Sequence, residues 1–336
     1  MTRTSSAAAV AHPNIALVKY WGKRDKVLVL PHAGSLSMTL DVFPTTTTVR
    51  ITPGTAEDSV FIDNVPARGE ALRRIVDFLD LVRARTGRRE RARVETHNTV
   101  PVGAGLASSA AGFAALALAA ATAYDACLDP TSLSRLARRG SGSACRSLFG
   151  GFVQWHAAHP GEQDPDHASY AEPVHDVHPD LDIALIAVLL QTTPKPVSSR
   201  EAMQRTVATS PLFPSWLRST REALADMRAA LKDGDLDRIG AIAERNALGM
   251  HAAMETALPP VTYRTPASHH LLNHVSALRE RGEQTWATMD AGPNVKVLCP
   301  ATDATRIAAE LAAASASPTV IARSGPAATL ISQSRS

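Results

Sequence analysis

Cysteine is scarce in this sequence, and the three that are present lie far apart. Cys127, Cys145 and Cys299 include no CxxC pair, whereas disulfide frameworks and structural zinc sites depend on closely spaced cysteines. The twelve histidines include no HExxH motif, and the neighbours His269 and His270 would point to different sides of a helix. We therefore expect a reducing cytoplasmic setting, no histidine metal centre and histidines that lie mostly at the surface.

Long apolar runs and a strong net charge are also missing. Residues 110–123 form a run of small apolar residues that is shorter than the roughly 20 residues of a membrane span, and their alanine richness favours a buried helix. Lysine plus arginine total 35 against 32 for aspartate plus glutamate, a net charge of +3. So weak a charge predicts neither a nucleic-acid nor a membrane partner, and any strong positive field must be local.

A length of 336 residues favours two closely packed lobes. We place the N-terminal lobe at 12–182 and the C-terminal lobe at 183–328. Residues 1–11 contain arginine, serine and alanine without a long apolar segment, which predicts a disordered tail rather than a signal peptide. Residues 329–336 are interpreted as a second tail.

Strand-like and helix-like patterns are mixed without strict alternation, which predicts an α+β fold. Strands are predicted at 14–21, 45–51, 91–95, 181–190 and 319–323, and two further short strands are predicted to be joined by residues 291–294. Helices are predicted at 70–85, 108–124, 131–139, from about 199, within 211–254, at 270–281 and at 303–314. Ser198 and Glu201 form a capping box for the helix that begins near 199. The polar segment 156–171 has the composition of an exposed, mobile excursion.

The first candidate functional segment is PVGAGLASSAAG at 101–112. Gly103 and Gly105 carry no side chain, so backbone N–H groups can approach a phosphate at the start of a helix, and the hydroxyls of Ser108 and Ser109 can add phosphate or magnesium contacts. The segment is neither a Walker A loop nor a full dinucleotide fingerprint. A glycine-rich helix entry without a ligand is the alternative.

A second glycine-serine turn, RRGSGSACRS, occupies 138–147. Ser141 and Ser143 are spaced so that both hydroxyls could face one anion, and Arg146 supplies a planar fork suited to a carboxylate or a phosphate. An ordinary helix cap beside a solvated arginine would account for the same pattern.

Cations are concentrated at the end of the first predicted strand, in KYWGKR at 19–24. Lys19 and Lys23 could hold a polyphosphate, although a solvated strand edge is the common explanation of such a cluster. Arg200 lies at the N-terminus of the capped helix, where an anion is favoured. A surface arginine is the alternative there.

The segment MDAGPN at 289–294 places a carboxylate at a strand end before a tight turn. The small turn residues leave room in front of Asp290 for a substrate hydroxyl, as a general base or an orienting group requires. A turn-capping aspartate is the alternative.

Taken together, these segments resemble the GHMP kinase superfamily and, within it, the mevalonate diphosphate decarboxylase family. The matching stretches are NIALVKYWGKRD at 14–25, GAGLASSAAGFAAL at 103–116, GSGSACRSLFGGF at 140–152, PKPVSSREAM at 194–203 and MDAGPNVKVLC at 289–299. KYWGK and GSGSACRS distinguish this family from the sugar and homoserine kinases of the superfamily. In the segment 31–39, Ala33-Gly34-Ser35 departs from the polar residues that usually precede the leucine.

The resemblance implies a two-lobed GHMP kinase fold, with a ribosomal S5-like N-terminal lobe, a ferredoxin-like C-terminal lobe and the substrate pocket between them. It implies a homodimer that uses ATP and Mg²⁺ to convert mevalonate 5-diphosphate into isopentenyl diphosphate, ADP, phosphate and CO₂. The implied ligand contacts are ATP phosphates at Gly103, Gly105, Ser108 and Ser109, magnesium at Ser108 and Ser109, adenine near Asn98, substrate diphosphate at Lys19, Tyr20, Lys23, Ser141, Ser143 and Arg200, substrate carboxylate at Arg146, and tertiary hydroxyl at Asp290.

The implied catalytic residues are Asp290, Arg146 and Lys19. Asp290 would orient or deprotonate the hydroxyl that takes the γ-phosphoryl group, and Lys19 would keep that carboxylate ionised. Two alternatives use the same scaffold. A kinase would phosphorylate mevalonate or a phosphomevalonate and stop, and a catalytically silent sensor would bind ATP and metabolite without turnover.

Overall fold

The computed structural model describes residues 5–99, 108–159, 161–190 and 197–331. Its strands are β1 (Ser6–Ala11), β2 (Asn14–Val18), β3 (Lys23–Asp25), β4 (Leu30–Pro31), β5 (Ser35–Thr39), β6 (Thr45–Thr52), β7 (Ser59–Ile62), β8 (Val65–Pro66), β9 (Arg91–Asn98), β10 (Phe152–Trp155), β11 (Ala171–Pro173), β12 (Ile183–Val188), β13 (Trp286–Met289), β14 (Val295–Pro300), β15 (Thr319–Ala322) and β16 (Thr329–Ile331).

The helices are α1 (Gly69–Thr86), α2 (Ser108–Ala123), α3 (Pro130–Gly140), α4 (Ser199–Thr209), α5 (Phe213–Asp233), α6 (Leu236–Glu255), α7 (Pro266–Glu280) and α8 (Ala304–Ser315), with a short 3-10 helix at Gly142–Cys145. The mixture of helices and strands confirms the α+β prediction. None of the helices within the described residues is both long enough and apolar enough to cross a membrane.

The first sheet has the strand order β16-β1-β6-β9-β7-β8, in which only the β7–β9 pair is parallel. Its buried cluster joins Ala9 of β1 and Val49 of β6 to Ala114 and Ala117 of α2. Alanine side chains on both sides let the helix lie close to the sheet, and the same small residues keep α2 buried over most of its circumference. The buried-helix prediction for 110–123 is therefore confirmed.

Both predicted tails are wrong where the structure describes them. Ser6–Ala11 forms β1, which pairs with β6 along its whole length, and Thr329–Ile331 forms β16, which pairs with the other edge of β1. Alanine-rich segments carry little strand propensity. Pairing and burial against α2 stabilise β1, because Ala9 and Ala11 are completely buried.

Two further sheets lie closer to the candidate site. One has the order β11-β10-β5-β2, and the other has the order β13-β14-β12-β15. Apolar residues of both, including Leu17 of β2 and Leu185 of β12, share a buried cluster with Ile239 and Ala243 of α6. Helix α6 therefore lies between the strand that precedes Lys19 and the sheet that carries Asp290.

Side-chain caps mark the starts of α3 and α4. Asp129 caps α3 by accepting a hydrogen bond from the Ser132 N–H, and Ser198 caps α4 by accepting one from the Glu201 N–H at 3.2 Å. Among the described residues only this half of the predicted capping box forms, because the Glu201 carboxylate pairs with Arg205 at 2.5 Å.

The predicted excursion at 156–171 is not exposed along its whole length. The Trp155 indole N–H donates to the Ser169 hydroxyl at 3.0 Å, and Ser169 and Ala171 are buried. Arg138, which is fully buried, donates to the Asp166 carboxylate and to the Ser169 carbonyl. These contacts hold the segment against α3, although its composition is polar.

Candidate active site

A buried ion-pair cluster joins the end of β2 to the turn after β13. Lys19 Nζ donates to Asp290 Oδ1 at 2.8 Å and to the Ala16 carbonyl at 2.7 Å. Lys296 Nζ lies 3.3 Å from Asp290 Oδ2. The two lysine side chains are 2% and 1% exposed, whereas that of Asp290 is 30% exposed. The carboxylate therefore has a cation at each oxygen and still opens toward the site.

These charges keep Asp290 ionised. Burial by itself would raise the pKa of Asp290, but the ammonium groups of Lys19 and Lys296 lower it far below its usual range. Burial lowers the pKa of Lys19, and Asp290 acts in the opposite direction. An ionised Asp290 can accept a hydrogen bond from a hydroxyl throughout the ordinary pH range, as the predicted orienting role requires.

Arg146, which follows the 3-10 helix, lies in a polar cradle and is 2% exposed. Its Nη1 donates to Ser35 Oγ at 2.5 Å and its Nε to Ser37 Oγ at 2.9 Å, while Nη2 donates to Asn14 Oδ1 at 3.1 Å. Burial lowers the pKa of Arg146, yet a guanidinium remains charged in proteins. The cradle fixes the direction of the Arg146 guanidinium. Nη1 and Nη2 each keep a further N–H that can donate to an anion.

The cradle residues were not among the predicted site residues. Ser35 and Ser37 lie two apart on β5, so both side chains face the same side of the sheet. Asn14 donates through Nδ2 to the Ser143 carbonyl at 3.0 Å and to Ser147 Oγ at 2.7 Å. The sequence does contain the alternating serines of β5, which predict two hydroxyls on one face of the strand. It does not indicate that Arg146 is the residue they contact.

The unusual Gly34 has a packing reason. A Cβ atom at this position would lie 2.8 Å from Leu224 Cδ2 and 2.9 Å from the Trp155 carbonyl oxygen. The Leu224 side chain could turn aside, but the β10 backbone at Trp155 is too close for a side chain at position 34. The departure at 33–35 thus lets this segment lie against β10, and Ser35 remains in the Arg146 cradle.

The two glycine-serine segments meet. Ser109 Oγ lies 3.3 Å from Ser141 Oγ, which brings the first turn of α2 to the end of α3. Gly103 and Gly105 lie outside the described residues, as does the side chain of Ser108. Ser143 lies in the 3-10 helix, and its carbonyl accepts hydrogen bonds from Asn14 Nδ2 and from the Arg146 N–H.

Tyr20 presents a hydroxyl to the same region. Its ring packs on Trp155 with centroids 4.6 Å apart, and a Cβ atom at Gly142 would lie 2.9 Å from the Tyr20 oxygen. The hydroxyl is buried and has no hydrogen-bond partner among the described residues. A buried hydroxyl without a partner is unfavourable, so an anion bound beside Gly142 would satisfy it.

A cationic cleft of about 720 Å³ continues outward from Gly140. It is lined by Lys23 after the β2 turn, by Arg74 of α1 and by Arg200 of α4. Burial, with the nearby charges of Arg200 and Arg74, lowers the pKa of Lys23 to about 8. Arg200 pairs with Glu70 at 2.8 Å and is half-exposed. The cleft concentrates positive charge on a chain whose net charge is only +3.

Arg74 was missed by the sequence interpretation. Its Nη2 donates to the Gly140 carbonyl at 3.1 Å and its guanidinium lies over the Phe113 ring at 4.8 Å. A charged residue on an amphipathic helix looks solvated in sequence, and only the packing of α1 on α3 shows that Arg74 lies at the cleft.

The predicted adenine contact, Asn98, lies at the end of β9. Its Oδ1 accepts from Thr45 Oγ1 at 3.2 Å, and its Nδ2 donates to Asp63 Oδ2 at 3.2 Å.

Comparison with known proteins assigns the family. A family model described as the diphosphomevalonate decarboxylase-like N-terminal domain matches residues 11–171, and one described as the mevalonate 5-diphosphate decarboxylase C-terminal domain matches 184–329. The chain belongs to the mevalonate diphosphate decarboxylase family. The matched segments contain Lys19 and Arg146 in the first domain and Asp290 in the second.

Curated relatives and solved structures of this family are similar over most of the chain. The diphosphomevalonate decarboxylase of Gibberella zeae is 37% identical over 311 residues, covering 87% of this chain and 80% of the relative. The Bos taurus enzyme is 36% identical over 307 residues, covering 84% and 74%.

Among solved structures, mevalonate diphosphate decarboxylase from Staphylococcus aureus has a TM-score of 0.91 at 38% identity, covering 98% of both chains. A chain described as MDDEF in complex with MVAPP, AMPPCP and magnesium has a TM-score of 0.90 at 40% identity, covering 98% of this chain and 100% of the other. The fold is therefore the GHMP kinase fold that the sequence predicted.

Proposed function

We propose that this protein catalyses the ATP-dependent decarboxylation of mevalonate 5-diphosphate to isopentenyl diphosphate, with formation of ADP, phosphate and CO₂. The observation that carries the proposal is an ionised Asp290 within electrostatic range of the buried Arg146 fork, on a segment whose preceding turn at Gly140 lines the cationic cleft. Such a site complements a molecule that has a diphosphate at one end and a hydroxyl and carboxylate at the other.

The substrate divides between three parts of the site. The diphosphate binds Lys23, Arg200, Tyr20, Ser141 and Ser143, with Lys19 beside it. Lys23 and Arg200 supply cations that line the cleft, and the hydroxyls come from the adjoining turn at 141–143 and from Tyr20, whose oxygen faces Gly142. The carboxylate binds the Arg146 fork, which its cradle already orients. The tertiary hydroxyl donates to Asp290, whose oxygens are held by Lys19 and Lys296.

Phosphoryl transfer is the first step. The hydroxyl oxygen forms a bond to the γ-phosphorus of ATP, ADP leaves, and the hydroxyl proton passes to Asp290. A strongly lowered pKa makes Asp290 a weak base, so the proton moves late, when bond formation has made the hydroxyl acidic. Asp290 therefore first orients the nucleophile and then accepts its proton.

Decarboxylation is the second step. The C–O bond to phosphate breaks and leaves an electron-poor tertiary carbon, and the electrons of the C–CO₂ bond then form the new double bond. Phosphate is a far better leaving group than hydroxide, which is why phosphorylation must come first. Arg146 holds the carboxylate in one orientation while the bond to it aligns with the vacated orbital.

ATP binds at Gly103, Gly105, Ser108 and Ser109, with Asn98 toward the adenine. Magnesium fits this location chemically, because Mg²⁺ binds oxygen ligands together with substrate phosphates and water, and Ser109 offers a hydroxyl beside Ser141. Bound magnesium offsets charge on the ATP phosphates. Ser108 and Ser109 are the proposed protein ligands.

The proposal includes a cytoplasmic homodimer, which rests on the family resemblance and on the free cysteines of the chain. Light scattering of the purified protein tests the dimer, and fractionation of the source cells tests the location. The two lobes are proposed to divide near residue 182.

The deciding experiment is a product balance. Purified protein with Mg-ATP and mevalonate 5-diphosphate should give ADP, phosphate, CO₂ and isopentenyl diphosphate in equal amounts, because each step depends on the one before it. Labelled carboxylate measures CO₂, and a coupled assay measures ADP. ADP without CO₂ would identify a kinase, and absence of both would identify a binding protein.

The pKa of Lys23 predicts a pH dependence. Above about pH 8 the free protein loses the Lys23 charge, so kcat/KM for mevalonate 5-diphosphate should fall as the pH rises through that value. Lys23→Arg keeps its charge, so its kcat/KM should stay level to higher pH. The exposed Lys232→Arg is the matched control. Parallel profiles for wild type and Lys23→Arg would remove Lys23 from diphosphate binding.

A further inference from the structure

Helix α6 contacts the backbone of both members of the Lys19–Asp290 pair. Asn246 Oδ1 accepts from the Lys19 N–H at 2.8 Å, and His251 Nε2 lies 3.2 Å from the Asp290 carbonyl oxygen. Asn246 is 5% exposed and His251 is 0% exposed. Lys19 follows β2 and Asp290 follows β13, so one helix connects two residues from opposite parts of the fold.

The Asp290 carbonyl accepts two hydrogen bonds with different consequences. The Gly292 N–H donates to it at 2.8 Å and closes the turn locally. The bond to His251 ties that turn to α6, while Ser268 Oγ of α7 donates to the Pro293 carbonyl at 2.7 Å on the other side of the turn. The His251 contact therefore determines how the start of the turn sits against the helix.

His251 is a fixed single donor. Burial, with the positive charges of Arg264 and Lys19, lowers the pKa of His251 to about 3, so the ring is neutral at working pH. A neutral imidazole has one N–H, and the carbonyl at Nε2 requires that this nitrogen carry it. Nδ1 is buried and has no partner among the described residues.

We propose that His251 is a positioning residue for the reaction, whose Nε2–H holds the Asp290 backbone so that the carboxylate faces Lys19 and the reacting hydroxyl. The inference rests on the proposed function, because it assigns the purpose of the contact to Asp290 chemistry. Reacting groups tolerate little displacement, and a shift of about 1 Å can cost about 10²-fold in rate. His251 itself lies behind the carbonyl and exchanges no proton.

Asn246 is the second residue through which α6 contacts the Lys19–Asp290 pair. Its Nδ2 donates to Thr220 Oγ1 at 3.0 Å, which orients the amide so that Oδ1 faces the Lys19 N–H. The Trp216 indole N–H donates to the Asn246 carbonyl at 3.0 Å and fixes the helix backbone there. The spacing between Lys19 and Asp290 is thereby set by positions on one rigid helix.

Three substitutions at position 251 separate the effect of losing the Nε2–H hydrogen bond from the effect of changing the side-chain volume. His251→Gln places an amide N–H close to the former Nε2, His251→Asn is too short to reach the carbonyl, and His251→Leu fills space without a donor. We expect kcat to fall about 10- to 100-fold in the Asn and Leu variants, and to stay within about threefold of wild type in the Gln variant. KM should change little, because Lys23 and Arg146 are untouched.

Met250→Leu is the matched control, since it repacks the neighbouring position of α6 at nearly constant volume. It should keep the wild-type kcat even if its Tm shifts. Equal loss of kcat in the Gln and Leu variants, or unchanged kcat in the Asn variant, would overturn the positioning role. If His251→Leu does not fold, the comparison of Gln with Asn decides. Wild-type protein that releases no CO₂ would instead overturn the proposed function.

Discussion

Asp290→Asn should lower kcat by about 10² to 10⁴, the range expected when a proton-accepting group is lost, and should change KM far less. Asparagine keeps the size of the side chain but cannot accept the hydroxyl proton. ADP formation and CO₂ release should fall together, because phosphorylation feeds decarboxylation. Steady-state assays of both products measure the effect.

The variant also leaves Lys19 and Lys296 without their shared anion, so its Tm should fall. Asp290→Asn combined with Lys296→Met removes one of the two ammonium groups that faced the lost carboxylate and should recover part of the Tm without recovering kcat. Asp303→Asn, at an exposed ion pair with Arg306, is the surface control. A folded Asp290→Asn protein that keeps more than about a tenth of native kcat would contradict the assignment.

Arg146→Gln should lower kcat/KM by between about 30-fold and a few thousand-fold, because loss of one partner of a buried charged contact costs about 2 to 5 kcal/mol. A neutral amide cannot reproduce the charged fork or use the whole cradle of Ser35, Ser37 and Asn14. Binding of an ATP analogue should stay near native, because the assigned ATP contacts are elsewhere. Steady-state kinetics and calorimetric titration separate the two quantities.

Two substitutions serve as references for that result. Arg146→Lys keeps the charge but loses the fork and should fall between wild type and Arg146→Gln. Arg306→Gln removes an exposed arginine that pairs with Glu283, and it should leave turnover unchanged. Near-native kcat/KM in Arg146→Gln would return the residue to a structural role in its cradle.

The sequence could predict the elements whose periodicity is strong. The amphipathic pattern of α1, the alanine run of α2 and the paired strands around Asp290 all appear where they were expected. Asp290 and Lys19 were named from motifs, and the structure brings them within 2.8 Å. The local sequence carries no information about that distance, since the two residues are far apart in the chain and meet through tertiary packing.

Other parts of the site depend on packing that local patterns do not encode. Lys296 alternates with Val295 and Val297 on β14, a pattern that normally turns a lysine toward solvent, yet both faces of this sheet are covered. His251 was expected among surface histidines and is completely buried. Strand β1 escaped detection because alanine does not signal a strand.

The pairing of β1 with β16 has a consequence for how the polypeptide is made. During synthesis, β1 cannot gain its outer neighbour until Thr329–Ile331 has been made. Sheet edges that wait for a distant partner expose unpaired N–H and C=O groups, which can pair with other chains. A shortened product that stops before Thr329 would therefore expose this edge of β1 permanently.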